Sequence, residues 1–121
     1  VSNWFALLYK LKPGSEDFVA DLFANSGRPD HTLKDDDGNE IGRLLTTMAF
    51  VGTETGVRVI EVEGDFKAVS GHLSQQPEVR EFERQIQDHL AEPRDLATPE
   101  GAAAFFKKRG MRNVLIRRID E

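Results

Sequence analysis

The side chains of this sequence best suited to moving a proton near neutral pH are its three histidines, His31, His72 and His89. His72 leads, because it falls one turn after Ala68 and Val69, on or beside the apolar side of a helix-patterned stretch. A boundary histidine is more often held by backbone or water than by a substrate, so it needs companions. Arg58 and Glu61 lie inside an aliphatic strand pattern, and a strand arginine aimed into a cavity stabilises an enolate or phenolate. Solvent-facing placement explains those two charges equally well. Trp4 and Tyr9 are suited to stacking on an aromatic ligand, although strand aromatics more often fill a core. The catalytic expectation is therefore His72 for proton transfer and Arg58 for oxyanion charge, with Trp4, Tyr9 and Glu61 contacting substrate.

Other chemistries find less support. There is no cysteine, no GxSxG elbow and no serine in a convincing context, which disfavours nucleophilic hydrolysis. Gly-rich phosphate loops are absent, so no nucleotide cofactor is expected. The histidines do not share a helical face, and no metal is expected at them. The acidic run Asp35-Asp36-Asp37-Gly38-Asn39-Glu40 resembles a calcium loop only in composition. With Gly38 as the loop glycine, Leu33 and Leu44 fall at the first and twelfth positions, where acids are required. The same residues make a polar hairpin tip between His31–Lys34 and Ile41–Leu44.

The elements that must position these residues read clearly. Trp4 to Lys12 is a strand stopped by Pro13-Gly14, and Ser15 caps a helix from Glu16 to about Asn25. Leu44–Val51 and Val57–Val62 are strands joined by a short Gly-bounded connection. In the first and second long strands neither face is clearly polar: Phe5, Leu7 and Tyr9 alternate with Trp4, Ala6 and Leu8, and Leu44, Met48 and Phe50 with Leu45, Ala49 and Val51. Asp65 opens a helix ending near Gln75-Gln76, and Pro77 opens another with Val79, Phe82, Ile86 and Leu90 inward. Thr98-Pro99-Glu100 starts a last helix that Gly110 closes, and Met111–Ile119 is the final strand.

Strand, helix, two strands, helices and strand make an α+β fold of the ferredoxin-like βαββαβ kind, with an added hairpin and an extra helix. The whole chain, 1–121, reads as one domain, and two apolar sheet faces predict a homodimer that closes its sheets into an α+β barrel. With 121 residues, 39% hydrophobic, eight phenylalanines and 31% charged, the chain has enough apolar mass for a core without disulfides. No apolar run approaches the roughly 20 residues that cross a bilayer. The first ten residues lack a basic leader and cleavage site, which points to the cytoplasm. A net charge of −5 argues against nucleic acid as a partner. The basic residues near the C-terminus, Lys107-Lys108-Arg109, Arg112 and Arg117-Arg118, are explained by a helix end and a strand.

Several longer motifs add a resemblance. They are Arg28-Pro29-Asp30, Asp37-Gly38-Asn39-Glu40-Ile41-Gly42-Arg43-Leu44, Val57-Arg58-Val59-Ile60-Glu61, Gln76-Pro77-Glu78-Val79-Arg80-Glu81 and Ala91-Glu92-Pro93-Arg94-Asp95, the last continuing to Thr98-Pro99-Glu100-Gly101. In this order they resemble the SchA/CurD-like family, over nearly the whole chain. The resemblance implies a role in type II, aromatic polyketide biosynthesis of the kind that makes spore pigments and antibiotics in actinomycetes. It also implies an aromatic polyketide as small-molecule partner, with components of a type II polyketide synthase as protein partners. The family is similar in pattern to small dimeric α+β barrel proteins that cyclise polyketides or oxidise anthrones without a cofactor. A cofactor-free cyclase or aromatase is thus the first expectation, a cofactor-independent anthrone-type monooxygenase the second, and a non-catalytic accessory protein the third. No catalytic residues transfer with the resemblance. Arg28 and Asp30 join the candidates as substrate contacts, and Arg94 and Asp95 read as a loop anchor.

Overall fold

The computed structural model describes residues 2–92 and 98–120. Ten elements follow in order: strand β1 (Ser2–Lys10), helix α1 (Glu16–Ala24), β2 (Thr32–Lys34), β3 (Glu40–Val51), β4 (Thr55–Gly64), α2 (Phe66–Ser74), α3 (Pro77–Ile86), a 3₁₀ turn (Gln87–His89), α4 (Pro99–Arg109) and β5 (Gly110–Arg112). The strands form one antiparallel sheet in the order β2-β3-β4-β1-β5. Leaving out the short β2, the order is that of a ferredoxin-like βαββαβ unit, and β2 with α3 are the added hairpin strand and helix. The Pro93-Arg94-Asp95 motif, and with it the expected loop anchor, lies outside the described residues.

Local chemistry accounts for most boundaries. Gly14 takes a φ of 80° in the turn that ends the first strand region, a conformation that costs a side-chain-bearing residue energy. Asp65 accepts a hydrogen bond from Ala68 N–H at 3.2 Å, and Thr98 accepts one from Gly101 N–H at 3.0 Å, so both act as N-caps. Pro77 sits at the first turn of α3, where its missing N–H has no cost. At the hairpin tip Asp35 Oδ1 accepts from Asp37 and Asn39 N–H at 3.0 and 2.9 Å, and Gly38 has φ 83°. The acidic run is a turn former there, and its backbone bonds hold the Asp35 carboxyl below its usual pKa.

The helices cover one face of the sheet and bury two clusters. Tyr9, Leu11, Val19, Phe82, Ile86 and Leu90 pack beneath α1 and α3, while Ile60, Val62 and Val69 pack beneath α2 with Phe5, Leu44, Phe66 and Leu73 around them. Phe66 lies 4.2 Å from Phe5 and 4.5 Å from Phe106 between ring centres, tying α2, β1 and α4 together.

Three expectations need correction. The last strand stops at Arg112 instead of reaching Ile119. β5 pairs with β1 as Phe5↔Arg112, and one more bond runs from Asn113 N–H to Trp4 O at 3.3 Å. Beyond that bond the ladder ends, and Val114, Leu115, Ile116 and Ile119 are left exposed. The helix expected to run through Leu90 ends at Ile86 and tightens into the 3₁₀ turn, so that Leu90 bridges Leu11 instead. Finally, Leu44 does not share a face with Met48 and Phe50. A β-bulge between Leu44 and Thr46 changes the parity: Leu44 lies opposite Val62 on the helix side, whereas Met48 and Phe50 lie opposite Val59 and Val57 on the other. That second face is uncovered in the single chain, with Phe50 59% and Met48 40% exposed.

Candidate functional site

β4 alternates Ile60 and Val62 toward the helices, and the same parity turns Arg58 into the helix layer, between Leu7 of β1 and Ala49 of β3. Its guanidinium carbon stands 4.6 Å from the centre of the Phe82 ring and 5.2 Å from that of Phe23. Phe23 comes from α1 and Phe82 from α3, so the arginine is held where the two helices meet the sheet. Its Nε is buried and has no hydrogen-bond partner among the described residues. Cation–π contact is worth about 0.5–2 kcal/mol, whereas a buried unpaired donor costs about 1–3 kcal/mol. The two roughly cancel, and an apolar side chain of the same length would hold the rings together as well. Stability alone therefore gives no reason for an arginine at this position.

A cleft of about 680 Å³ opens between α1 and α3. Phe18, Leu22 and Phe82 give it apolar walls, and Glu78 and Glu81 bring carboxylates. Glu81 is paired with Arg84 and accepts from Gln85 at 2.8 Å, bonds that hold its carboxyl below the usual pKa. Glu78 stands one turn before Phe82 on the same helix face, and its Oε2 is buried without a partner among the described residues. The chain approaches it closely at Gly27, where a Cβ would come within 2.9 Å of Glu78 Cγ. A glycine there lets the loop after α1 close over α3.

His72 belongs to a different cleft. This second space, about 450 Å³, is lined by Asp30, Thr32, Leu33, Lys34, Glu40 and His72. His72 Nε2 donates to the Asp30 carbonyl oxygen at 2.9 Å and lies 3.8 Å from Asp30 Oδ2, so sequence-distant candidates do meet here. The contact fastens the segment before β2 onto α2. Asp30 also accepts from Thr32 N–H at 3.2 Å, and Arg28 is exposed in the same segment. The structure thus brings His72 to Asp30 but places Arg58 against Phe23 and Phe82, of which Phe82 lines the other cleft while Arg58 does not.

The remaining candidates separate further. Tyr9 is 2% exposed, set between Phe23 and Phe105, and is part of the core. Trp4 lies directly opposite Glu61 on the uncovered sheet face. Glu61 accepts from Ser2 Oγ and Thr46 Oγ1, both at 2.7 Å, and these bonds keep its carboxyl below the usual pKa, with Arg118 adding in the same direction. His89 donates to or accepts from Ser15 Oγ at 3.1 Å and stacks on Phe18 at 4.0 Å. Among the described residues no three His, Asp or Glu side chains are grouped as metal ligands, and no helix is long and apolar enough to cross a membrane. Sequence reasoning missed Glu78, Phe23 and Phe82. Phe82 was read as core and Glu78 only as part of a motif; the close spacing of Gln76-Pro77-Glu78 to an apolar helix stripe was the signal available.

The model of the SchA/CurD like domain matches residues 3–117. Three Streptomyces proteins are similar over most of this chain. "Polyketide synthase CurD" of Streptomyces cyaneus is 41% identical over 106 residues, 88% of this chain and 28% of that protein. The "42.8 kDa protein in whiE locus" of Streptomyces coelicolor is 35% identical over 106 residues, 88% of this chain and 25% of its own length. "Protein SchA" of Streptomyces halstedii is 34% identical over 103 residues, 85% of this chain and 26% of its own. The chain spans about a quarter of the length of these relatives. No solved structure gives a significant match. With a family model covering nearly every residue and relatives this similar, the chain belongs to the SchA/CurD-like domain family.

Proposed function

We propose that this domain acts in aromatic polyketide biosynthesis as a cofactor-free cyclase or aromatase, binding a poly-β-ketone or partly cyclised intermediate between α1 and α3. The observation that carries the reading is the apolar-walled cleft of about 680 Å³ between α1 and α3, with the half-buried Arg58 lying over the ring of Phe82, one of its walls, its Nε buried and without a partner among the described residues. Such a cleft suits a flat, oxygen-rich ligand, because its phenyl walls stack on the ligand's rings while the Arg58 cation beside Phe82 favours enolate or phenolate charge. The relatives' names, one of them a polyketide synthase, agree with that substrate class. His72, engaged with the Asp30 carbonyl, acts in this reading on the loop that carries Arg28 and Asp30 more than on the substrate itself. The uncovered sheet face, with Trp4, Met48, Phe50 and Met111, supports a homodimer whose sheets close on one another, and a synthase component is the alternative occupant.

The test is product analysis of a minimal type II polyketide synthase with and without this protein, in air and under nitrogen. A new cyclised product in both atmospheres is expected. A product that needs air would replace the cyclase with a cofactor-independent anthrone-type monooxygenase. An unchanged profile would refute catalysis and leave an accessory role.

A further inference from the structure

We propose that a second copy of this chain lays its segment 113–119 along the open edge of β3, adding a strand beside residues 45–51. This rests on the homodimer reading given above and names the backbone contact that joins the two sheets. β2 pairs with β3 only between Glu40 and Arg43, and Leu44 N–H donates to His31 O at 2.8 Å. Past Leu44 no described residue pairs with that side of β3. Gly52 N–H donates to Thr55 O at 2.7 Å, and the register between β3 and β4 runs unbroken from Thr46 to Val51. Alternation along the strand then turns the backbone of Thr46, Met48 and Phe50 toward β4 and the N–H and C=O groups of Thr47, Ala49 and Val51 outward. Natural sheets guard their open edges with lysine, proline or inward-pointing charge, and Leu45-Thr46-Thr47-Met48-Ala49-Phe50-Val51 has none of these. An unguarded edge of this length calls for another strand.

The segment after β5 has the matching character. Val114, Leu115 and Ile116 are 81%, 62% and 56% exposed, and no backbone hydrogen bond joins them to a described strand. Valine and isoleucine favour strands, and in an extended segment Val114 and Ile116 share one face while Leu115 and Ile119 share the other. Apolar residues on both faces suit a strand set between a helix layer and a facing sheet. The segment cannot serve its own β3. In the order β2-β3-β4-β1-β5 it would have to cross β1, β4 and β3, about 19 Å at the usual strand spacing, out of about 24 Å of fully extended chain. Little would remain to form a ladder. Glu61 lies on the uncovered sheet face, and Arg118 is near enough to help lower its carboxyl pKa, so the segment leans to the side on which a second copy docks.

The experiment follows amide hydrogen exchange by NMR across a dilution series whose mass is read by light scattering. In the wild-type dimer the amides of Thr47, Ala49 and Val51 are expected to exchange at least about tenfold more slowly than in the diluted monomer. Ile116→Pro alters an exposed position with no backbone bond in the single chain, so the fold should survive it. It should remove that protection and raise the dimer dissociation constant about tenfold, the effect of one or two lost backbone bonds, while the Met48 and Phe50 amides stay protected by β4. Ala49→Pro deletes an outward donor and should weaken the dimer from the other side of the contact. A dimer whose Thr47, Ala49 and Val51 amides exchange freely would overturn the added strand and leave two sheets packed by their faces. Protection that persists undiminished in the monomer would overturn the second copy as its source. Wild-type protein that scatters as a monomer at every concentration would overturn the strand and the homodimer together.

Discussion

Placing α2 over the β3–β4 ladder depends on Gly42, and substituting it gives a sharp test of the packing. A Cβ at position 42 would stand 2.6 Å from Val69 Cγ2 and 3.2 Å from Glu63 O. Carbon atoms prefer about 3.5–4.0 Å, so the first contact overlaps by roughly 1 Å. Val69 is 0% exposed and locked between Ile60 and Val62, and so cannot yield cheaply. Gly42→Ala should therefore cost about 2 kcal/mol, the middle of the range for overpacking. Val69→Ala deletes two buried methyl groups, worth about 1.6 kcal/mol by transfer, and its cavity brings the loss to about 2 kcal/mol. In the double variant the new methyl enters the space that Cγ2 has left, so the combined loss should be about 2 kcal/mol and not the additive 4 kcal/mol. Urea unfolding of all four proteins at constant m-value measures the cycle. Additivity within about 0.5 kcal/mol would refute the claim that these two residues compete for one volume.

The same geometry makes other predictions. Arg58→Met should leave the melting temperature unchanged or raise it, since it removes a buried unpaired donor, yet abolish binding of an enolised aromatic ligand; a large loss of stability would show that the arginine is structural. If the proposed homodimer forms through the uncovered face, Phe50→Lys, which places a charge there beside Val57, should shift light-scattering mass from dimer to monomer without loss of the circular dichroism spectrum; wild-type protein that scatters as a monomer would refute the dimer, and a dimer that survives the substitution would place its interface elsewhere. Glu61 titrates below its usual value in the folded chain, so its contribution to stability is present above the unfolded carboxyl pKa and disappears as pH falls through the folded one. An NMR titration should find the Glu61 midpoint raised in Ser2→Ala and Thr46→Val, and an unmoved midpoint would remove the two hydroxyls as its cause.

The sequence by itself determined the elements and their order, because those depend on neighbours a few residues apart. Asp65 and Thr98 are caps, Pro77 suits a first helical turn, and the acidic tip around Gly38 is a turn whatever the rest of the chain does. Alternation in the β1 region put Phe5, Leu7 and Tyr9 on one face, and the helices cover that face. His72 was legible as a helix-boundary histidine, but its partner, the carbonyl of Asp30, came from a segment that only folding brings near. The tertiary structure decided what depends on pairing. A single extra residue at Leu45 reversed the faces of half of β3, and the pairing of β5 with β1 ended at Arg112, leaving the chain's last apolar residues outside the sheet. The site was hidden for the same reason. Arg58, Phe23 and Phe82 belong to a strand and two helices, and no local pattern records that they meet; Glu78 and Phe82 join the residues of α1 in one cleft only when the two helices pack. Local propensity is written in adjacent residues, whereas a cleft and a buried unpartnered polar atom are properties of the space that distant ones enclose.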